Sequence, residues 1–369
     1  MPASTPSFWQ HDDGLLRSGE RTSGHRLHLP SALHGARHDG GGHHRVTPAA
    51  TTAGPAFDVV GFGVNALDLI AVIDGFPAPD TKVPIEEFDV QGGGMTATAM
   101  VACARLGLRA RYIGKIGTDL WSRLSLRLLS KEGVDVRGVI RAKGSPGHVS
   151  VVLADRAAGQ RRLFFRRPPA YDIRPAELDR TVITSGRLLH VDGVDAEAAV
   201  RAIDWAREAG MRITMDGERI VPGIENVWPR VDLLVCNPRF LAVVTGTAAP
   251  EDGLRSLATR GPSRVAVTLA ERGVLALTED RVIRIPGFSV AAVDTNGAGD
   301  VFHGACAIGE LRNWPFEWTL TFANAVAAMK CRALGGRAGI PGLGEVIGFL
   351  ADHGHAEIAR ALDAPGGSR

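Results

Sequence analysis

The sequence predicts an α/β protein built on a central, mostly parallel sheet. Three observations carry that expectation. Short apolar strands alternate with segments of helical period from about Asp58 to Pro341. Several strands end in glycine or in an acidic residue, which suits a site at the carboxyl edge of a sheet. Finally, Asp294-Thr295-Asn296-Gly297-Ala298-Gly299-Asp300 runs directly into Val301, Phe302, Ala305, Ile308 and Leu311, which recur at helical spacing. The 369 residues suffice for one large α/β domain with an appendage, or for two domains, and 45% apolar residues suit a real core. A formal net charge of +2 gives no argument for a nucleic-acid or membrane partner, and the apolar runs are too short to span a bilayer.

Residues 1–54 stand apart. They are rich in Gly, Ser, Thr, Pro, Arg and His, lack apolar periodicity and contain no apolar segment of a secretory signal. The spacing of His11, His25, His28, His34, His38, His43 and His44 matches no metal-ligand pattern, so a disordered extension is expected. From Phe57 a short strand ends at Gly61-Phe62-Gly63. Gly61-x-Gly63-x-x-Ala66 superficially matches a dinucleotide fingerprint, but Leu67–Ile73 alternates like a second strand instead of opening a helix, which rejects that reading. Lys82–Val90 reads as a polar strand. Gln91-Gly92-Gly93-Gly94-Met95-Thr96-Ala97-Thr98-Ala99 then opens a helix over Met100–Gly107.

Strands are expected over Tyr112–Ile116, Arg187–Val191, Met211–Met215, Val231–Cys236 and Arg264–Leu269, and helices over Leu120–Lys131, Ala196–Ala209 and Trp318–Ala333. His148–Leu153 with Arg162–Phe165, and Val274–Leu277 with Val282–Ile285, read as hairpins. Residues 342–362 read as a polar helical tail packed on the outside. Cys103, Cys236, Cys306 and Cys331 form no CxxC pattern, which favours buried reduced thiols in a cytoplasmic protein.

The chemistry concentrates in the stretch from Asp294 to Asp300. Gly297 and Gly299 supply the freedom of a tight anion-cradling turn, and the first free N–H groups of the following helix point into it. Asp300 stands where a carboxylate can take a proton from a hydroxyl beside a bound phosphate, as phosphoryl transfer to an alcohol requires. The same residues also suit an acidic N-cap on an ordinary packed helix. No Walker A segment and no protein-kinase catalytic loop occurs in the chain.

Asp294-Thr295-x-Gly-Ala-Gly-Asp resembles the C-terminal signature of the ribokinase-like (PfkB-type) carbohydrate kinases, and Gly93-Gly94 opening a small-residue helix resembles their front motif. The resemblance implies a three-layer sandwich with helices on both faces and a small β lid from segments 82–91 and 147–166, in a kinase domain spanning 55–345 with residues 346–369 as the tail. It implies an ATP-dependent sugar kinase with Asp300 as base and Gly297, Ala298 and Gly299 in the anion hole. Asn65, Asp68, Gly93, Gly94, Thr98 and Asp192 would hold the sugar, with Asp195 beside Asp192 at the same strand end. Asn237, Thr268, Gly273 and Asn324 would meet the nucleotide, with Mg²⁺ on the phosphates. The backbone around Asp294 and Asn296 would hold a monovalent cation such as K⁺. Phe240 replaces a family Glu, Thr98 a family Asn and Ala270 a family Gly. The Gly-Gly-Gly-x-x-Ala-Thr-Ala form looks closest to the sulfofructose kinase branch. One of Arg161, Arg162, Arg166 and Arg167 would reach an anionic group on the substrate, unless these are solvated hairpin charges. Pairing of lid strands between subunits would give a homodimer. The alternatives are a nucleoside kinase, stacking a base on Phe88, Phe164, Phe165 or Tyr171, and a non-catalytic sugar-binding protein.

Overall fold

The structure is a computed structural model that describes residues 54–156, 160–278 and 281–363. The expected disordered extension therefore lies outside the described residues, apart from Gly54. In chain order the strands are β1 (Val59–Phe62), β2 (Ala66–Ile73), β3 (Glu87–Gly93), β4 (Ala110–Ile113), β5 (Lys115–Ile116), β6 (Ile140–Arg141), β7 (Val149–Asp155), β8 (Gln160–Arg166), β9 (Leu188–Val191), β10 (Arg212–Gly217), β11 (Leu233–Cys236), β12 (Arg264–Thr268), β13 (Val274–Thr278) and β14 (Arg281–Ile285). The helices are α1 (Met95–Arg105), α2 (Leu120–Lys131), α3 (Arg180–Ile183), α4 (Ala196–Glu208), α5 (Pro238–Thr245), α6 (Pro250–Ala258), α7 (Ala298–Leu311), α8 (Phe316–Lys330), α9 (Leu343–Asp352) and α10 (Ala356–Asp363).

The main sheet has eight strands in the order β14-β13-β12-β11-β10-β9-β1-β4. Every pairing from β12 to β4 is parallel, and the β12–β13 and β13–β14 pairings are antiparallel. Side chains alternate across this sheet as strand geometry demands. Val59, Leu188, Leu233 and Val235 pack with α1, α7, α8, α9 and α10 on one face. Val60, Phe62, Leu189, Val191, Leu234 and Cys236 pack with α4, α5 and α6 on the other. The result is a three-layer sandwich whose strands are buried on both faces and so read as continuous apolar runs.

A second sheet has four strands in the order β3-β2-β7-β8 and takes in strands from both segments expected to form the lid. The lid therefore contains β2, which the expected lid segments leave out. The sequence reading also cuts off a tail at residue 346. That point lies inside α9, and Val346, Phe349, Leu350, Ile358 and Leu362 are buried in the same core as α8. The hydrophobic side of these helices, short as they are, is part of the main core and not an outer decoration. All four cysteines are free and buried.

Candidate active site

The carboxyl ends of β1, β9 and β10 open toward the lid, and between them lies a cleft of about 430 Å³. Two helices begin at its floor. α7 starts from Gly297, whose φ of 74° is the left-handed conformation that glycine adopts without steric cost. Ala298 donates its N–H back to the Thr295 carbonyl at 3.2 Å, while the N–H groups of Gly299 and Asp300 have no partner among the described residues. α1 starts from Gly94, with φ of 89°. Its small residues let α7 approach closely: a Cβ on Gly304 would lie 2.4 Å from the Ala99 carbonyl oxygen. Two helix N-termini thus converge on one cleft, and their dipoles favour an anion there.

Asp300 is not the N-cap of α7 but its third residue, because the helix is capped at Gly297, three residues before the aspartate. Its carboxylate lies within 4.8 Å of those of Asp216 and Glu218. Desolvation, then the negative charges of Asp216, Glu218 and Asp68, raise its pKa well above the ordinary carboxylate range, against the opposing charge of Arg337. Glu218 opens to the cleft, yet desolvation of its carboxyl and the charge of Asp216 push it up to about 7. Asp216 behaves oppositely. Burial works against its charge, but the facing His303 imidazole, 3.1 Å away, and the nearby His190 bring its pKa down. Three hard carboxylates in one place are a donor set that suits Mg²⁺.

The roof is the inner face of the lid. Register places Asp68, Ser150 and Phe165 side by side on β2, β7 and β8. Because strand side chains alternate, Arg161, Leu163, Phe165 and Arg167 all line the cleft, whereas Phe164 and Arg162 face away. Burial raises the pKa of Asp68, and a hydrogen bond from Ser150 and the charge of Arg337 oppose it. Gly93 is confined by this carboxylate, since a Cβ there would lie 2.3 Å from it. Thr98 lines the cleft as well and accepts from Arg337 Nε at 3.2 Å.

Other sugar candidates stand behind the wall. Asn65 donates to Ser125 Oγ at 3.1 Å and accepts from Arg337, both buried contacts. The Asp192 carboxylate accepts from Val64 N, Thr96 Oγ1 and Val194 N at 2.6, 2.8 and 3.1 Å. Burial pushes its pKa up to about 6 against those bonds. Neither residue lines the cleft; the strand end that suggested a sugar contact at Asp192 instead ties β9 to the start of α1. Asp195 is likewise engaged, with Arg167 at 2.8 Å.

The nucleotide candidates fall into two neighbouring pairs along the sheet, away from the cleft lining. Asn237 caps α5 by accepting from Phe240 N at 2.8 Å, and Thr268 donates to the Cys236 carbonyl at 3.5 Å on the adjacent strand end. Gly273 packs against the Ile285 carbonyl, and Asn324 donates to the Ile285 and Pro286 carbonyls at 3.4 and 3.2 Å. Phe240 is wholly buried in the core. Asn296 lines the cleft, and the Asp294 carboxylate holds Asn296 N and Gly335 N at 2.8 Å each. The Asp294 carbonyl accepts from Lys330 Nζ at 2.9 Å.

Sequence reasoning missed Asp216, Glu218, Arg219 and Arg337. An acidic pair two residues apart at the end of β10 was the available signal for the first two. Nothing local marks Arg337, which is buried, donates to Gly93 O at 2.7 Å and leaves Nη1 without a partner among the described residues.

Unpaired N–H groups at a helix start, a carboxylate among them and a second sheet above are an arrangement that suits phosphoryl transfer to a small molecule. The chain belongs to the pfkB family of carbohydrate kinases, which it matches over residues 57–342. It is 28% identical over 318 residues to a probable fructokinase-4 of Arabidopsis thaliana, covering 79% of this chain and 96% of that protein. Its fold is similar to that of a putative ribokinase from Agrobacterium tumefaciens, with a TM-score of 0.76, 27% identity and coverage of 80% and 98%. A putative ribokinase II from E. coli, solved in complex with ATP and Mg²⁺, shares the fold at a TM-score of 0.72 with 21% identity, over 80% and 99%.

Proposed function

We propose that this protein transfers the γ-phosphate of ATP to a hydroxyl of a sugar or sugar derivative, with Asp300 as the base. The observation that carries the reading is the free N–H pair of Gly299 and Asp300 at the start of α7, with the Asp300 carboxylate beside it and Asp68 on the lid above. The sugar lies between Asp68, Thr98 and the Gly93-Gly94 backbone. Asp300 removes the proton from the acceptor hydroxyl, and the N–H groups stabilise charge on the transferring phosphoryl group. Mg²⁺ fits the carboxylates of Asp216 and Glu218 and, when bound, screens the phosphate charge. Its charge would also lower the Asp300 pKa and so keep the base ionised. Lid closure excludes water, which would otherwise compete as acceptor. The E. coli neighbour with ATP and Mg²⁺ bound supports this choice of cosubstrates.

Several features bear on the acceptor. Arg167 is held by Asp172 and Asp195, and Arg161 by Asp294 and Thr295, whereas Arg219 stacks on Phe165 at 5.3 Å and makes no ion pair among the described residues. Arg219 is therefore the guanidinium best placed for an anionic substituent of the sugar. A nucleoside acceptor is less well served. Of the aromatic residues considered for stacking a base, only Phe165 lines the cleft, and Tyr171 is buried with its hydroxyl accepting from Gly117 N at 2.7 Å.

The test is ATP turnover against pentoses, hexoses, ketose phosphates, sulfo-sugars and nucleosides, with Mg²⁺, beside Asp300→Asn. Turnover of one sugar class, reduced about 10²- to 10⁴-fold in kcat by Asp300→Asn, is expected. Sugar binding without turnover, indifferent to that substitution, would instead identify a non-catalytic binding protein. Preference for a sulfo-sugar would place the chain in the sulfofructose branch.

A further inference from the structure

The carbonyl of Asp294 belongs to the backbone around Asp294 and Asn296 that, by the resemblance, a monovalent metal ion would take. Here it is taken by a side chain. Lys330 stands in the last turn of α8 with no exposed surface, and its Nζ donates to the Asp294 carbonyl at 2.9 Å. A buried ammonium is costly unless it is paired, and Lys330 has no carboxylate oxygen within ion-pair distance among the described residues. Burial lowers the Lys330 pKa, and the charge of Asp294 first, and that of Asp300 more weakly, holds it up through space.

The ammonium is locked into the loop it touches. Val293 N and Asp294 N both donate to the Cys331 carbonyl, at 2.7 and 3.1 Å, joining the end of α8 to the start of the anion-hole turn. The Asp294 carboxylate fixes Asn296 N and Gly335 N on the other side. A metal ion binding the same carbonyl would meet an ammonium already in its place, repelling it by charge and denying it a ligand.

We infer that Lys330 is a tethered cation that positions the Asp294–Gly297 turn, and that phosphoryl transfer by this protein therefore does not depend on K⁺. The inference rests on the kinase reading for its rate prediction but not for its structural content, so two readouts are used. In the first, initial rates are compared with K⁺ or tetramethylammonium as the only monovalent cation, at constant Mg²⁺. The wild type should respond less than about twofold. Lys330→Ala should lose roughly ten- to a hundredfold in kcat, more than in KM, and regain part of it with K⁺, ammonium or methylammonium. In the second, thermal unfolding is followed without substrate: K⁺ should raise the melting temperature of Lys330→Ala and leave that of the wild type unchanged. Several-fold stimulation of the wild type by K⁺ would overturn the inference. So would a folded Lys330→Ala protein indifferent to every cation in both readouts. If Lys330→Ala does not fold, the wild-type K⁺ response decides alone. If no sugar is phosphorylated, the kinase reading falls, while the melting comparison still decides the role of Lys330.

Discussion

The roles proposed for Asp300 and Gly299 can be tested separately. The pKa of Asp300 is raised first by desolvation and then by the negative charges of Asp216, Glu218 and Asp68. A base must be ionised to act, so activity should rise with pH along a limb set by Asp300, which bound Mg²⁺ shifts to lower pH. Glu218→Gln removes one of the charges that raise Asp300, and at saturating Mg²⁺ it should move that limb to lower pH. A pH profile of kcat/KM for both proteins checks this, and a limb that stays in place would remove Glu218 from the list of causes. Gly299 makes a different point. A Cβ added there meets nothing within 4 Å among the described residues, which leaves room beside it for the phosphate of the proposed reaction. Gly299→Ala should leave stability unchanged or raise it by less than about 1 kcal/mol, since alanine favours a helix. It should lower kcat/KM for ATP by at least about tenfold by crowding the phosphate. Equal stability and equal activity would remove Gly299 from the anion hole.

At the scale of elements, the lid shows how one strand serves two surfaces. Odd-numbered residues Arg161, Leu163 and Phe165 of β8, and Arg167 just past its end, face the cleft. On the opposite face lie Phe164, 58% exposed, Val151 beside it, and Phe88, 60% exposed on β3. An apolar face of this kind on a small sheet is costly in water, and pairing with a second copy of the chain would cover it. We expect a homodimer through this face. Phe164→Asp should give a monomer by analytical ultracentrifugation, and an unchanged wild-type monomer at micromolar concentration would refute the pairing. The hairpin and its alternation were readable in the sequence from the period of two. Which parity faces the cleft was not, because that depends on how the lid sheet lies over the carboxyl ends of the main sheet. The front glycines show the same division. A Gly-rich turn before a helix was legible, whereas the carboxylate of Asp68 that crowds Gly93 and the guanidinium of Arg337 that crowds Gly92 come from distant parts of the chain.

For the whole molecule, the C-terminal helices close one face of the sandwich. Leu350 is fully buried in the core that also contains α7 and α8. Leu350→Ala should therefore cost about 2–5 kcal/mol in chemical denaturation, while activity per folded molecule stays near wild type. A loss under 1 kcal/mol would restore the picture of an external tail. The sequence by itself determined the fold class, the order of elements and the glycine turn that opens the helix carrying Asp300, because strand and helix periods and glycine turns are local and leave a local record. Tertiary structure alone decided that Asp216 and Glu218 stand beside Asp300, that Asp192 and Asn65 are internal ties, and that the Lys330 ammonium holds the Asp294 carbonyl. These depend on contacts between residues far apart in the chain, where burial and charge are set by neighbours that no short stretch of sequence contains.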